Sequence, residues 1–198
     1  FQKKEYFKET VNFKGNVYLR TLFSAENPPA VTLRHVVPKV DGSGGFHKYM
    51  TCAGPGCPAC QEKEIFKSPM EYYIANAWVY GINKVQLIVQ GPTFWRHIRE
   101  LDNQLAGAGM VLSQVDLSVS KPSQNSFMVM PILNPAMSNL VAPDWNQVCQ
   151  NLYNPATIED FQPSTIEEWD REIDYYKKHI DGATVSVPTG NNPLASPS

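Results

Sequence analysis

The sequence lacks the features that mark a membrane-anchored or exported protein. No stretch approaches the roughly 18 uninterrupted apolar residues that a membrane-spanning helix needs, and no signal-peptide pattern opens the chain. Cysteine is scarce, with four residues in a chain of 198, which argues against the dense disulfide framework of small secreted domains. We therefore expect an intracellular protein in a reducing compartment, built from one medium-sized domain with appendages.

Catalytic motifs are missing as well. No Ser/His/Asp arrangement, phosphate-cradling glycine-rich loop or pair of carboxylates stands out. The sequence therefore favours a protein that is not an enzyme. What it does contain is one short segment that is dense in cysteine, glycine and proline, T-C-A-G-P-G-C-P-A-C-Q.

Three of the four cysteines lie in this segment, at Cys52, Cys57 and Cys60. The C-x-x-C spacing of the last two lets both thiolates reach one tetrahedral Zn²⁺, and the intervening glycines and prolines favour a tight turn. A disulfide is the alternative, but a bridge between Cys57 and Cys60 would be strained. We therefore predict one structural zinc ion per chain and a free buried thiol at the remaining cysteine, Cys149.

The fourth zinc ligand has two candidates upstream, His35 and His47. Residues 31–40 and 46–52 are both rich in strand-forming side chains, and D-G-S-G-G at 41–45 is typical of a hairpin loop. The two histidines therefore lie on the two strands of one predicted hairpin.

The register of this hairpin favours one histidine. If Val40 pairs with Phe46, His35 lies next to Cys52 on the facing strand. His47 lies five residues before Cys52 on the same strand, so the two side chains point to opposite faces. We therefore favour His35, with His47 as the alternative, and predict a closed site of one histidine and three cysteines. A catalytic zinc would normally keep an open position.

The net charge of −2 hides an uneven distribution. Residues 1–100 carry 13 Lys and Arg against 8 Asp and Glu, whereas residues 101–198 carry 4 against 11. A basic front half and an acidic back half predict a polyanion-binding surface in the first and a partner-binding region in the second. The alternative is ordinary solvated charge scattered over a globule.

The hydrophobic pattern predicts a mainly β fold with helices (α+β). We expect an OB-fold-like, five-stranded, partly open barrel with an inserted zinc knuckle and peripheral helices. The strand candidates are residues 17–23, 31–40, 46–52, 70–80, 84–90, 110–120 and 126–132, with a helical turn at 62–67 and a helix at 91–106. A last helix is predicted to start with a capping box from Ser164 to Glu167 and to bury one stripe, Ile166, Trp169, Ile173 and Tyr176.

These elements predict four segments along the chain. Residues 1–14 are expected to form an N-terminal arm, and residues 15–133 the barrel, with the zinc knuckle at about 35–60. Residues 134–181 form a loop-rich acidic helical extension, and residues 182–198 are expected to be a disordered tail, because they contain three prolines and no periodicity.

Barrels of this type bind single strands through a basic groove and through aromatic rings on which bases stack. The strand at 70–80 carries candidate stacking rings: alternation places Tyr72, Trp78 and Tyr80 on one face and Tyr73 on the other. The alternative for each ring is a place in the core. The candidate phosphate-binding cations that surround this strand in sequence are Arg20, Arg34, Lys39, Lys48, Lys63, Lys67 and Lys84.

Five segments of the chain form a pattern that a known family shares. They are His35, Cys52, the knuckle Cys57-Pro58-Ala59-Cys60, the strand Tyr73-Ile74-Ala75-Asn76, and Lys84-Val85 leading to Phe94-Trp95-Arg96-His97-Ile98. In these segments the chain resembles the zinc-containing single-stranded DNA-binding (helix-destabilising) proteins of tailed bacteriophages, of the T-even type. The resemblance covers about residues 15–132. It implies a metal held by His35, Cys52, Cys57 and Cys60, and a base-contacting ring at Tyr73.

The resemblance also implies a function and partners. Such a protein coats single-stranded DNA during phage DNA replication, recombination and repair, in the cytoplasm of the infected bacterial host. The family self-associates along the strand through a basic arm, of which Lys3-Lys4 is a thin version, and recruits replication proteins through an acidic tail. Residues 191–198 carry no acid, so either that tail has been removed or the acidic helix at 165–180 takes its place.

A second function belongs to a different class. A zinc-stabilised protein-interaction adaptor of the replisome or virion would bind its partner through the acidic second half of the chain. Neither reading implies a membrane partner.

Overall fold

The computed structural model describes residues 8–23, 28–40, 46–123, 126–134 and 139–180. Within these ranges the fold is mixed α+β, as predicted, but the antiparallel sheet is open and has seven strands where five were expected. Lys3-Lys4 and the predicted tail at 182–198 lie outside the described residues. The strands are β1 (Val17–Thr21), β2 (Ala30–Pro38), β3 (Phe46–Thr51), β4 (Met70–Val79), β5 (Lys84–Gln90), β6 (Asp116–Ser123) and β7 (Ser126–Ile132).

The helices connect and flank these strands. They are α1 (Pro58–Gln61), α2 (Pro92–Gly107), α3 (Trp145–Gln150) and α4 (Ile166–Ile180), with short 3₁₀ turns at Leu112–Gln114, Pro155–Thr157 and Glu159–Phe161. No helix in the described ranges is both long enough and apolar enough to cross a membrane.

Strand β4 is the centre of the sheet. The strand order is β3-β2-β4-β1-β6-β7, and β5 pairs with β4 along its other edge. Strands β1 and β2 follow each other along one edge of β4, since Thr21 pairs with Ala77 and Ala30 pairs with Ile74. The two strands therefore act as one long partner of β4 that is interrupted in the chain by residues 22–29.

The chain divides into two compact units. The first contains the described residues of 8–34 and 70–162, and the second those of 35–69 and 163–180. This grouping differs from the predicted division, which placed the knuckle with the barrel. The reason is that α4 buries Trp169 and Ile173 in one cluster with Phe66 and Cys57, so the last helix and the knuckle share a core.

The core of the first unit lies between α2 and one face of the sheet. The predicted stripe of α2 is buried as expected, and it packs against Leu19, Ile88 and Leu117 from three strands. The buried residues of this stripe are Phe94, Ile98, Leu101 and Leu105. The 3.6-residue spacing of large apolar side chains thus covers the sheet with one continuous helical surface.

The predicted N-terminal arm is part of this core from residue 9 onward. Val11 donates its backbone N–H to the Leu87 carbonyl, and Leu87 donates to the Glu9 carbonyl, both at 2.9 Å. Val11 and Phe13 are buried, and the Phe13 ring lies 5.5 Å from that of Phe94. One short bridge and two anchoring side chains produce no periodicity, so this contact could not be predicted from the hydrophobic pattern.

The opposite face of the sheet is covered by residues 150–162. Asn76 is buried on β4, donates its side-chain amide to the Tyr153 carbonyl and accepts a hydrogen bond from the Tyr153 N–H, both at 2.9 Å. Ile74 and Leu87 pack beside it against Phe161. A single amide side chain therefore satisfies both backbone groups of a residue 77 positions away.

One predicted boundary is wrong. The strand expected at 110–120 begins only at Asp116, because residues 112–114 form a 3₁₀ turn whose Leu112 is buried in the core. The helical turn predicted at 62–67 is present, since Ile65 and Phe66 both donate their N–H groups to the Glu62 carbonyl, at 3.0 and 2.9 Å. A short helix that was not predicted, Pro58–Gln61, precedes this turn. Proline at its first position favours helix initiation, because the φ angle of proline is fixed.

The capping box of α4 is shifted by one residue from the prediction. The Thr165 hydroxyl accepts the Glu168 N–H at 3.1 Å, and the Glu168 carboxylate accepts the Thr165 N–H at 2.9 Å. Trp169 is fully buried, whereas Ile166, which was predicted to share its stripe, is 48% exposed. Thr165 rather than Ser164 therefore sets the start of this helix.

Replacing Asn76 with alanine tests how residues 150–162 are held. We expect Asn76→Ala to lower the free energy of unfolding by about 1–3 kcal/mol, because it removes the two buried hydrogen bonds between the Asn76 side chain and the Tyr153 backbone. Urea denaturation followed by circular dichroism measures this loss. Asn103→Ala, an exposed asparagine on α2, is the matched control, and an equal loss in both variants would contradict the assignment.

Candidate metal centre and aromatic surface

Four side chains in the second unit meet in one cluster. Their potential ligand atoms all lie within 4.8 Å of one another. One comes from β2, one follows β3, and two come from the turn that begins α1. The four residues are His35, Cys52, Cys57 and Cys60. His35 is therefore the histidine that lies with the sulfurs, while His47 is exposed. The loop at 41–45 lies outside the described residues, so the pairing of Val40 with Phe46 stays a prediction.

The backbone of the knuckle is shaped by two glycines. Gly54 and Gly56 have φ angles of +85° and +80°, in the left-handed region that favours glycine. Cys57 donates its N–H to the Gly54 carbonyl, and Cys60 donates to the Cys57 carbonyl, both at 3.1 Å. These turns return the chain so that Cys60 faces Cys52.

Three of the six distances between the four atoms are close to those of a tetrahedral metal site. The Sγ atoms of Cys52 and Cys60 are 3.7 Å apart, and His35 Nε2 lies 3.4 Å from Cys60 Sγ and 3.8 Å from Cys57 Sγ. A tetrahedral zinc with bonds of about 2.3 Å to sulfur and 2.0 Å to nitrogen would separate its ligands by about 3.5–3.8 Å. The cluster could therefore hold one metal ion.

A hydrogen bond fixes the imidazole of His35. This residue is fully buried, and its Nδ1 lies 2.9 Å from the carbonyl oxygen of Lys67. A carbonyl oxygen can only accept, so Nδ1 carries the proton and the lone pair of Nε2 points at the sulfurs. Such a partner behind a ligating histidine is typical of metal sites.

The three sulfurs lie within 4.8 Å of one another and are partly or fully buried. Burial, followed by the interaction with Cys52, raises the pKa of the Cys60 thiol to about 12. Burial also acts to raise the pKa of Cys57, but backbone hydrogen bonds from Ala53 and Cys60 outweigh it and lower that pKa. Three thiolates in this space therefore need a cation to balance their charge.

The first unit carries a separate cluster of half-buried rings, which we call the aromatic surface: Phe23, Tyr73 and Trp95. The Trp95 ring centroid lies 5.4 Å from that of Phe23 and 6.1 Å from that of Tyr73. Its Nε1 donates to the Gln90 carbonyl at 3.1 Å, which holds the indole in place. Tyr73 was predicted as a stacking ring, but Phe23 and Trp95 were not. For Trp95 two signals were available: it lies outside the buried stripe of α2, and it belongs to a segment that carries the family resemblance.

The other predicted rings lie on the opposite face of β4. Tyr80 is buried, and its hydroxyl donates to Asp116 at 2.6 Å, so this ring belongs to the core. Tyr72 and Trp78 are half-buried, and the guanidinium of Arg34 lies 5.8 Å from the Tyr72 ring. Tyr73 is therefore the only one of these four rings on the face that α2 covers.

The predicted cations do not form one group. Arg20 donates to Asp116 at 2.7 Å and lies 4.3 Å above the Trp145 ring, so it ties α3 to the sheet. Lys48 forms an ion pair with Glu172 at 2.5 Å. Arg20, Arg34 and Lys84 belong to the first unit, whereas Lys39, Lys48, Lys63 and Lys67 belong to the second. The exposed members of the set are Lys39, Lys63, Lys67 and Lys84.

Cys149 is a free cysteine, as predicted, but it is exposed rather than buried. It lies on α3, a six-residue helix whose buried residue is the neighbouring Val148. A helix this short turns only one side chain inward, and the next position faces solvent.

Metal analysis tests the cluster. We expect freshly purified protein to carry about one metal ion per chain and to lose thermal stability when a chelator removes it, because structural metal binding contributes directly to folding. His35→Ala and Cys57→Ser should abolish retention of the metal, whereas Cys149→Ser should retain it fully. Plasma mass spectrometry and thermal denaturation measure both effects, and purified protein free of metal would contradict the assignment.

None of the protein-family models, curated proteins or solved structures compared with this chain matches it. The function is therefore inferred from the chemistry of the two sites.

Proposed function

We propose that the protein binds single-stranded DNA without sequence preference, as a non-enzymatic protein of phage DNA replication, recombination and repair. The observation that carries the proposal is the aromatic surface, where Phe23, Tyr73 and Trp95 expose parts of their rings side by side. Every base has a flat face that can stack on such a ring, so binding of this kind tolerates any sequence.

Positive charge lies next to these rings. Arg96 and Arg99 are exposed on α2, and Arg99 follows Trp95 by four residues, which places both on the same side of the helix. The charge of Arg99 also reaches Tyr73 and acts to lower its pKa. Cations beside a stacking surface bind the phosphates of a strand and release its counterions. Neither arginine belongs to the set selected from sequence.

Glu71 orients the ring of Tyr73. The tyrosine hydroxyl donates to the Glu71 carboxylate at 2.8 Å, and this hydrogen bond raises the pKa of Tyr73. The negative charge beside this ring is therefore that of the exposed Glu71 carboxylate, and the positive charge of Arg99 opposes it.

The metal in this proposal is a structural Zn²⁺. One imidazole and three thiolates are the donor set that zinc prefers, and four ligands leave no position for a substrate. The first unit would then be an open variant of the OB-type barrel. The succession of β1 and β2 along β4, followed by the β4–β5 meander, supports this assignment.

The acidic helix α4 gives less support to the alternative function, the protein-interaction adaptor. Of its five acids, Glu168 serves the capping box, and Glu172 pairs with Lys48. The exposed acids without such a role are Glu167, Asp170 and Asp174. Three exposed carboxylates make a weak docking surface for a partner.

Binding to oligo-dT tests the proposal. We expect Tyr73→Ala and Trp95→Ala each to weaken binding about tenfold or more, because each removes one stacking partner. Affinity should also fall steeply as salt rises. Fluorescence anisotropy with a labelled oligonucleotide measures both effects.

Tyr175→Ala is the matched control, because this exposed tyrosine lies on α4 in the second unit. Equal affinity for duplex and single strands would refute the proposal. Passage through a single-stranded DNA column without retention would instead favour the adaptor.

A further inference from the structure

Helix α4 covers the metal cluster with one side chain. Trp169 is fully buried, and its ring meets the imidazole of His35 edge to face, with centroids 5.2 Å apart and planes at 79°. Phe66 packs against another side of the indole at 5.5 Å. The ring orientation of a metal-ligating histidine therefore depends on a residue from the last described helix.

The same indole also holds the strand that leads to Cys52. Trp169 Nε1 donates to the carbonyl of Thr51 at 3.1 Å, and Ser164 donates its N–H to the same oxygen at 3.4 Å. Thr51 is the residue before Cys52 and is itself buried. Trp169 thus contacts the structural supports of two of the four candidate ligands.

Ion pairs attach α4 at two further points. Glu172 pairs with Lys48 of β3 at 2.5 Å, and Lys177 pairs with Glu62, directly after α1, at 2.6 Å. Ion pairs of this kind contribute little each, but they join the helix to the same two segments that carry the cysteines. The buried Trp169 is the main anchor, because it alone combines full burial with a hydrogen bond.

We propose that Trp169 is a positioning residue of the metal centre and that metal binding is coupled to docking of α4. The docked helix orients His35, shields the cluster from water and slows loss of the metal. A loaded cluster in turn fixes the surface on which the helix docks. Thermodynamic linkage requires helix docking to strengthen metal binding by the same free energy by which metal binding stabilises the docked helix. The inference rests on the metal part of the proposed function and is independent of DNA binding.

Hydrogen exchange of the intact protein tests the coupling from one side. We expect removal of the metal by a chelator to accelerate amide exchange in α4, residues 166–180, while exchange in α2, residues 92–107, stays unchanged. Unchanged protection of α4 would overturn the proposal. Equal acceleration in both helices would also overturn it, because metal loss would then unfold the chain as a whole.

Metal release tests the coupling from the other side. We expect Trp169→Ala to lower the affinity for zinc by about 10- to 100-fold, the usual effect of losing a residue that supports a metal ligand. Competition with a chromogenic chelator measures the affinity and the rate of zinc release. Trp169→Phe, which keeps a ring beside His35 but loses the hydrogen bond to Thr51, should show a smaller effect. Tyr175→Ala, on the exposed side of the same helix, should release zinc at the wild-type rate.

The variants Trp169→Ala and Trp169→Phe, together with a DNA-binding assay, distinguish failure of this proposal from failure of the proposed function. If Trp169→Ala does not fold, Trp169→Phe still decides the matter, and release at the wild-type rate in that variant would overturn the proposal. Anisotropy with oligo-dT on the same samples separates the two proposals. Zinc retention that depends on Trp169 in a protein that binds no DNA would refute the DNA-binding function and leave the coupling intact.

Discussion

The convergence of one imidazole and three sulfurs is the interaction on which the second unit depends. This unit has a small apolar core, whose largest fully buried side chains are Phe66 and Trp169. A core of this size supplies little stability by itself. Burial and the neighbouring Cys52 raise the pKa of the Cys60 thiol, so three thiolates in this cluster become favourable when a cation balances their charge. A bound metal would then join β2, β3, α1 and, through Trp169, α4.

The first unit is stabilised differently, and its packing explains why the three rings of the aromatic surface remain only half-buried. Small residues on β4, Ala75 and Ala77, are buried on the face that α2 covers, so the helix can approach the sheet closely. Tyr73 lies two residues further along the same face. Trp95 reaches it from the first turn of α2, held by Gln90. The aromatic surface is thus formed where the helix begins and its cover of the strand ends.

The sequence predicted what is local and missed what is distant. The candidate ligands fall within 26 residues, and spacing with strand alternation was sufficient to select His35 with the three cysteines. The α2 stripe followed from its period in the same way. The pairing of Asn76 with Tyr153, the contact of Phe23 with Trp95 and the packing of α4 on the knuckle join segments far apart in the chain. Local periodicity carries no information about such partners. The ion pair of Arg20 with Asp116 was missed for the same reason, because the two residues are 96 positions apart.

In the proposed function the two units have different roles. The second unit would bind a metal ion that joins its strands and helices, and the first unit would offer the aromatic surface and the arginines of α2 to unpaired bases. A crystal structure of the zinc-loaded protein with a short oligo-dT is the most direct test. The account predicts bases stacked on Tyr73 and Trp95, with phosphates near Arg99. A strand bound elsewhere, with these rings uncovered, would contradict it.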